Sequence, residues 1–280
     1  MTQINSTDSE MARYWNEGGG RRWVANIERV ERMLKPLAER LLAHAAPRAG
    51  QAVLDVGCGG GLTSKAFAEA VGASGQVIGV DVSTQILDVA RQRFVTTPNL
   101  RFEEGDAGSM PLTSAHFDHI TSRFGVMFFP DPVGAFAHLR PALKPAGRLS
   151  FICWRDLKLN PWMAVPVRAA FEILPRLAPL APNAPGPFAF ADEAYLRGVL
   201  EQAGLQAIEI AAHEALLDLG SLTDAIEQMT RMGPAAQAFD DADEATREKV
   251  LRALEQAFAP ALSAGTVQLP SATWLVSARP

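Results

Sequence analysis

Only two cysteines, Cys58 and Cys153, occur in the 280 residues, too few for a disulfide framework or a cysteine zinc site. Basic charge is not in excess: 26 Lys and Arg stand against 31 Asp and Glu, a net charge of −5. Nucleic-acid partners demand a basic face and are therefore not expected. No apolar run approaches the length of a membrane-spanning helix, and no basic amphipathic stretch marks a membrane surface. The opening M-T-Q-I-N-S-T-D-S-E lacks the basic and apolar regions of a secretory signal. The expectation is a cytoplasmic chain with reduced thiols and no stable membrane insertion. Internal repeats and low-complexity tracts are also missing. What is present is apolar: 48% of residues are hydrophobic, enough for a sizeable core in one large α/β domain with additions.

Residues 8–17 read as a short polar helix ending at Gly18-Gly19-Gly20. An amphipathic helix over 24–45 follows, with Ile27, Val30, Met33, Leu34, Leu37 and Leu41 at helical spacing and Pro36 as its expected kink or break. Strand and helix signals then alternate. Strands are expected at 52–56, 76–80, 100–104, 117–122 and 148–153, with helices at 62–71, 84–94 and 132–143. Such a beat calls for a mostly parallel sheet covered on both faces. After Trp154 the beat breaks. A helix over 161–174, a proline-rich connection over 175–187, a helix over 192–203 closed by Gly204, a strand at 206–211, helices at 221–232 and 242–258 and a last strand at 272–278 read as additions to one sheet. The division expected is 1–48 as an N-terminal helical lid, 49–154 as the ligand-binding core, and 155–280 as completion of the sheet with helical caps.

The stretch V-L-D-V-G-C-G-G-G at 53–61 places four glycines in a strand-to-helix turn. Missing side chains there permit positive φ and close approach of a ligand to the backbone. A nucleotide P-loop would continue with Lys-Ser/Thr, but the chain reads Leu62-Thr63-Ser64-Lys65. A dinucleotide turn fits Gly57 and Gly59 but demands glycine at Leu62. Three acids, Asp55, Asp81 and Asp106, fall where successive strands end and are expected to converge on one crevice. Asp81 is placed to hold ribose hydroxyls, with Val82 against an adenine face and Asp106-Ala107 at the adenine edge. Asp55 beside the glycine turn disfavours pyrophosphate and favours a cation.

The ordered set V-L-D-V-G-C-G-G-G, G-V-D-V-S, E-G-D-A, F-D-x-I-x-S-R-F-G and L-K-P-A-G-R-L resembles class I S-adenosylmethionine-dependent methyltransferases. In style it is similar to the group that includes the ubiquinone and menaquinone biosynthesis enzymes, over about residues 50–153. The resemblance implies a doubly wound, mostly parallel seven-stranded sheet, a Rossmann-like methyltransferase fold with N-terminal helices and a helical cap. It implies S-adenosylmethionine as donor, S-adenosylhomocysteine as product, and no metal. Asp55, Gly57, Gly59 and Gly61, with Cys58 between them, would surround the methionine part, Asp81 and Val82 the ribose and adenine, and Asp106 and Ala107 the adenine. Ser122 and Arg123 would lie near the methionine part and the acceptor. One departure is Ala146, where the family pattern has a second glycine after proline.

Methyl transfer is an in-line displacement, so positioning and exclusion of water can supply roughly 7–11 kcal/mol of the barrier without a triad or metal. The catalytic residue is left unnamed; Tyr14, Arg123 and Trp162 are the acceptor-side candidates. His44 and His138 are expected on solvated helix faces and His119 in a structural strand position, while His116 and His213 have no legible partner. Cys58 and Cys153 read as packing residues. The added segments carry Tyr14, Trp15, Trp23, Trp162, Met163, Phe188, Phe190, Met229, Met232 and Phe239, suiting a small, fairly apolar methyl acceptor on oxygen, carbon or nitrogen. Gly18–Gly20 are expected to hinge the first segment as a lid, the plainer use of these segments being cover for the sheet or pairing of a homodimer. Asn160-Pro161-Trp162 echoes a DNA amino-methylation motif without its second proline. A donor-binding but non-catalytic partner protein, and a nucleotide-dependent oxidoreductase, are the competing readings.

Overall fold

The computed structural model describes residues 10–176 and 181–280; positions 8–9 of the expected first helix, and 177–180 of the proline-rich connection, lie outside the described residues. Three helices, α1 (Glu10–Asn16), α2 (Gly18–Ala25) and α3 (Ile27–Ala45), lead into the alternating part. That part runs β1 (Ala52–Val56), α4 (Leu62–Val71), β2 (Gln76–Asp81), α5 (Thr84–Arg93), β3 (Leu100–Glu104), β4 (Phe117–Arg123), α6 (Pro132–Leu139) and β5 (Leu143–Trp154). The chain continues through α7 (Pro161–Phe171), α8 (Glu193–Gln202), β6 (Gln206–Asp218), α9 (Leu222–Met232), α10 (Ala236–Asp240), α11 (Glu244–Phe258), β7 (Leu262–Ser263) and β8 (Thr266–Arg279).

The strand order is β3-β2-β1-β4-β5-β8-β6, with the two-residue β7 paired only to β8. The first five strands are parallel, and β8 enters antiparallel between β5 and β6. This is the expected doubly wound sheet, and β1 and β4 lie side by side where its winding reverses. Strand alternation in β1 sends Leu54 and Val56 into the larger core and Val53 into a smaller one with Phe67, Ala68 and Val71 of α4. The larger core runs from Val30 to Ala278 without a break, so the segments after 154 complete one sheet.

Several boundaries differ from the sequence reading for local reasons. Pro36 does not split its helix: α3 runs unbroken to Ala45, where Ala46 turns left-handed. The break comes instead at Asn26, whose side-chain amide donates to the Arg22 carbonyl at 2.8 Å and so satisfies the end of α2. β5 starts earlier than expected because Leu143 already pairs with Phe117 ahead of a register shift. Ala146 keeps negative φ, so the missing glycine costs no strain there. The helix α10 and strand β7 were not expected, and both are shorter than the window over which hydrophobic periodicity can be read.

The largest correction concerns Gly18–Gly20. They form the start of α2, and Gly19 and Gly20 are buried. A Cβ at Gly20 would lie 2.0 Å from the Trp15 carbonyl oxygen, and one at Gly19 would meet the Tyr14 ring. Gly19 and Gly20 let α1 fold back tightly on α2; they are packing positions, not a flexible hinge. Gly20→Ala should gain about 1 kcal/mol of helix propensity yet lose the docking of α1. Limited proteolysis should then cut within 10–16 much faster than in the wild type, with the thermal midpoint of the sheet unchanged. Equal proteolysis rates would show that α1 does not depend on this contact.

Candidate functional site

The glycine turn leaves β1 and enters α4 with both the Gly57 and Cys58 amides donating to the Val80 carbonyl, at 2.8 and 3.0 Å. Gly57 has φ 66°, and a Cβ on it would come within 2.6 Å of Gly125 Cα. The turns after β1 and β4 therefore touch backbone to backbone, which only glycine permits on both sides. Gly59 faces the open side, where the nearest atom to an added Cβ is Trp23 Nε1 at 3.8 Å. Gly61 does not belong with it: at φ 81° its missing side chain makes room for Phe102 and Phe94, a packing role. The side chain of Cys58 likewise has a packing role, because its buried sulfur lies against Gly79 of β2.

The three acids occupy different layers. Asp81, half-buried, accepts from the Gly59 amide at 2.9 Å and the Ser83 amide at 3.0 Å, joining the end of β2 to the glycine turn. Burial raises its pKa against the pull of these donors. It does not cap α5; the first amide of that helix, at Thr84, donates to Asn16 Oδ1 from α1 at 3.0 Å. Asp55 is a correction to the expected convergence, since it is only 1% exposed and lies beneath the turn. Ser64 Oγ donates to its Oδ2 at 2.6 Å while its Oδ1 has no partner. Burial, outweighing the Ser64 bond and the Arg123 charge, pushes its pKa up to about 6. Asp106 closes its own loop, accepting from the Gly108 amide at 2.8 Å and Ser109 Oγ at 3.2 Å. Ala107 beside it is buried. The Val82 carbonyl accepts from Asn16 Nδ2 at 2.8 Å.

At the end of β4, Ser122 donates to the Val56 carbonyl at 2.8 Å and accepts from the Gly125 and Val126 amides at 3.1 and 3.2 Å. Its hydroxyl is saturated within the protein, so it shapes the site by holding the two turns together. Arg123 donates from Nε to Thr63 Oγ1 at 3.0 Å, while its buried Nη1 has no partner. Burial lowers its pKa, opposed by the charges of Asp55 and Glu31. Phe124 follows at φ 68°, a strained value for a bulky residue. Its ring stacks on Trp154 at 4.2 Å and 10°, and Trp154 packs on Trp162 at 4.9 Å.

Of the acceptor-side candidates, Trp162 is buried with its N–H given to Asn160 Oδ1 at 3.2 Å. Asn160 also takes the Ala272 amide and donates to three carbonyls, so Asn160-Pro161-Trp162 is a structural staple. Tyr14 is 50% exposed and meets Trp15 edge-on at 5.2 Å. His138 is not solvated but bonds the Met110 carbonyl at 2.7 Å; His119 meets Gln51, His116 meets Gln76, and Arg148 approaches His44. Among the described residues no group of three or more His, Cys, Asp or Glu could hold a metal, and no helix is long and apolar enough to cross a membrane.

Sequence reasoning did not single out four contributors. Phe128 meets Trp15 edge-on at 5.4 Å, and Trp15 meets Trp23 at 5.8 Å, which roofs the turn with aromatic rings. Glu31 and Arg93 form a doubly hydrogen-bonded pair at 2.8 Å against Gly60, and Thr63 anchors Arg123. Glu31 had a readable signal, being a charge inside the apolar stripe of α3.

The family described as "Methyltransferase domain" matches residues 53–147. Demethylmenaquinone methyltransferase of Staphylococcus aureus strain MRSA252 is 34% identical over 109 residues, 39% of this chain. The match covers 45% of that relative, so the chain spans about half the length of the curated relatives it matches. Among solved structures, the YcgJ protein of Bacillus subtilis superposes with TM-score 0.58 at 20% identity, covering 88% of this chain and 99% of that one. Phosphoethanolamine N-methyltransferase 2 of Haemonchus contortus, in complex with S-adenosyl-L-methionine, superposes with TM-score 0.59 at 15% identity, covering 97% and 60%. At these identities the likeness is one of fold.

The buried Asp55 carries a pH signature. Its folded pKa of about 6 lies above the ordinary 3.8, so the folded chain holds the proton more tightly than the unfolded one. Stability from that proton is full below about pH 4 and is lost as the pH rises through about 6, a loss of roughly 3 kcal/mol. Asp55→Asn removes the charge and should leave the ligand-free chain up to that much more stable than wild type at pH 7.5. At pH 4 the two should be nearly equal. Urea titrations at both pH values check this; a difference independent of pH would contradict it.

Proposed function

We propose that this chain binds S-adenosylmethionine and transfers its methyl group to a small, fairly apolar molecule, a reading supported by the match of residues 53–147 to a methyltransferase domain. The observation that carries this reading is the charge character of the glycine turn. Asp81 receives the Gly59 amide, and Asp55 lies below with an unpartnered oxygen. Two carboxylates there oppose a phosphate and suit a ligand bearing hydroxyls and cationic groups. When bound, the donor supplies an electrophilic methyl on a sulfonium. The residues hold and orient it: Asp81 at the ribose, Gly57 and Gly59 by close backbone approach, and Asp106-Ala107 at the adenine. Asp55 would lie toward the methionine end, with Arg123 Nη1 and Trp23 Nε1 as unused donors nearby. The reaction needs nucleophile and methyl in line with water excluded, and the rings of Trp15, Trp23 and Phe128 form an apolar roof suited to that. The same rings favour an apolar acceptor.

Calorimetry in excess chelator should show saturable binding of S-adenosylhomocysteine by the wild-type chain. Asp81→Ala should weaken it by about 1.5–3 kcal/mol, the usual worth of hydrogen bonds to a charged group, without loss of the cooperative fold. Absence of binding at millimolar ligand would overturn the reading. With methyl-labelled donor and a pool of cellular small molecules, label should pass into the organic-extractable fraction. Label found in nucleic acid or protein would refute the acceptor class, and binding without any transfer would make the chain a non-catalytic partner protein.

A further inference from the structure

The N-terminal helices invite assignment to the acceptor side, yet one atom in them lies over the glycine turn. Trp23, in α2, is half-buried as a residue, but its Nε1 is fully buried and has no hydrogen-bond partner. That nitrogen lies 3.8 Å from where a Cβ on Gly59 would stand, and Gly59 is the glycine of the turn whose amide is held by Asp81. An indole nitrogen can only donate. Burying such a donor unpaired costs free energy, and persistent exceptions of this kind call for an explanation.

Trp23 is not loosely placed. Its ring meets Trp15 edge-on, and the preceding residue ties α2 to α10 through Arg22, which bonds Gln237 and Asp240 at 3.0 Å each. Gly60, next in the turn, packs on Ile27 and Glu31 of α3, so the N-terminal helices and the turn form one contact surface. The N–H is therefore held at a fixed place over the turn.

The two acids at this turn account for ligand groups that donate or carry positive charge. They leave unmatched the one part of an amino-acid-bearing nucleoside that only accepts, its carboxylate. The unpartnered donors near the turn are Trp23 Nε1 and Arg123 Nη1. We infer that Trp23 Nε1 donates to the α-carboxylate of the bound donor, which makes α2 a wall of the donor site and couples its docking to donor binding. The inference rests on the donor proposed above and goes beyond it by assigning Trp23 to one end of that molecule.

The test compares two ligands on the full chain. S-adenosylhomocysteine carries the carboxylate; 5′-methylthioadenosine has the same nucleoside and thioether but no amino-acid end. Trp23→Phe keeps an aromatic ring and removes the N–H. Calorimetry should show S-adenosylhomocysteine binding about tenfold weaker or more and 5′-methylthioadenosine binding unchanged, with no fall in the thermal midpoint of the ligand-free chain. If Trp23→Phe fails to fold, the benzothiophene analogue of tryptophan placed at position 23 keeps the shape without the N–H, and the same comparison applies. Equal losses for both ligands, or no loss for either, would overturn the assignment while leaving the donor reading intact. A wild-type chain that binds neither ligand would overturn both.

Discussion

The site depends on a contact between two turns. Gly57 after β1 and Gly125 after β4 approach with no side chain between them, at the place where the sheet changes its winding direction. Ser122 fixes the approach by bonding the Val56 carbonyl on one side and the Gly125 and Val126 amides on the other. A Cβ at either glycine would push the turns apart, and with them Gly59, Asp81 and the strained Phe124. Phe124 then has no freedom to relax: its amide is bonded to the Ile152 carbonyl at 3.0 Å, and its ring is held by Trp154. A left-handed bulky residue persists only when its surroundings over-determine it, and here a hydrogen bond and a ring stack do so.

Electrostatics add a second layer. Asp55 and Arg123 both project toward the first turn of α4, where Ser64 and Thr63 meet them. They form no direct ion pair within hydrogen-bond reach; each has one satisfied and one unpartnered polar atom. Burial pushes the acid's pKa up and the base's down, so the ligand-free layer is strained for charge. A zwitterionic ligand end would relieve both strains, since a cation lowers the cost of the carboxylate and an anion that of the guanidinium. Perturbed pairs of this kind cluster at functional sites for that reason.

What the sequence revealed and concealed follows from range. The alternation of apolar runs gave β1 to β4, α4 and α5 to within a residue, because those signals are local and period-bound, whereas β5 starts five residues earlier and α6 ends four residues earlier than expected. The glycine turn and Asp81 were legible through their chemistry. Gly61 and Cys58 were assigned to the ligand because motif spacing cannot say which side of a turn a residue faces; only Phe94, Phe102 and Gly79 decide that. The commitment of the Ser122 hydroxyl to the Val56 carbonyl and to amides that follow it was not legible either, because no periodicity describes that turn. Gly18–Gly20 looked like a hinge because glycine permits flexibility and close packing alike. The choice between them lies in Tyr14 and Trp15, and in the docking of α1 on Val82, Ser83 and Thr84.

The same docking brings α1 and α2 over the turn. Polar bonds tie α1 to the end of β2 and the start of α5: Ser83 Oγ to the Trp15 carbonyl at 2.7 Å, Asn16 with Val82 and Thr84, and Gln85 Nε2 to the Asn16 carbonyl at 2.7 Å. The ion pair from Arg22 to Asp240 joins α2 to α10, and those from Arg29 to Asp224 and Glu227 join the following helix α3 to α9, but partly exposed pairs contribute about 0–1 kcal/mol each. Edge-on aromatic contacts supply the rest, with Tyr14 half exposed. The sheet beneath them shares one core that runs through the whole alternating region, with Trp23 packed against it. The turns of β1 and β4 are the over-determined part of the site: Gly57 and Gly125 touch there, and Ser122 bonds both sides of the contact.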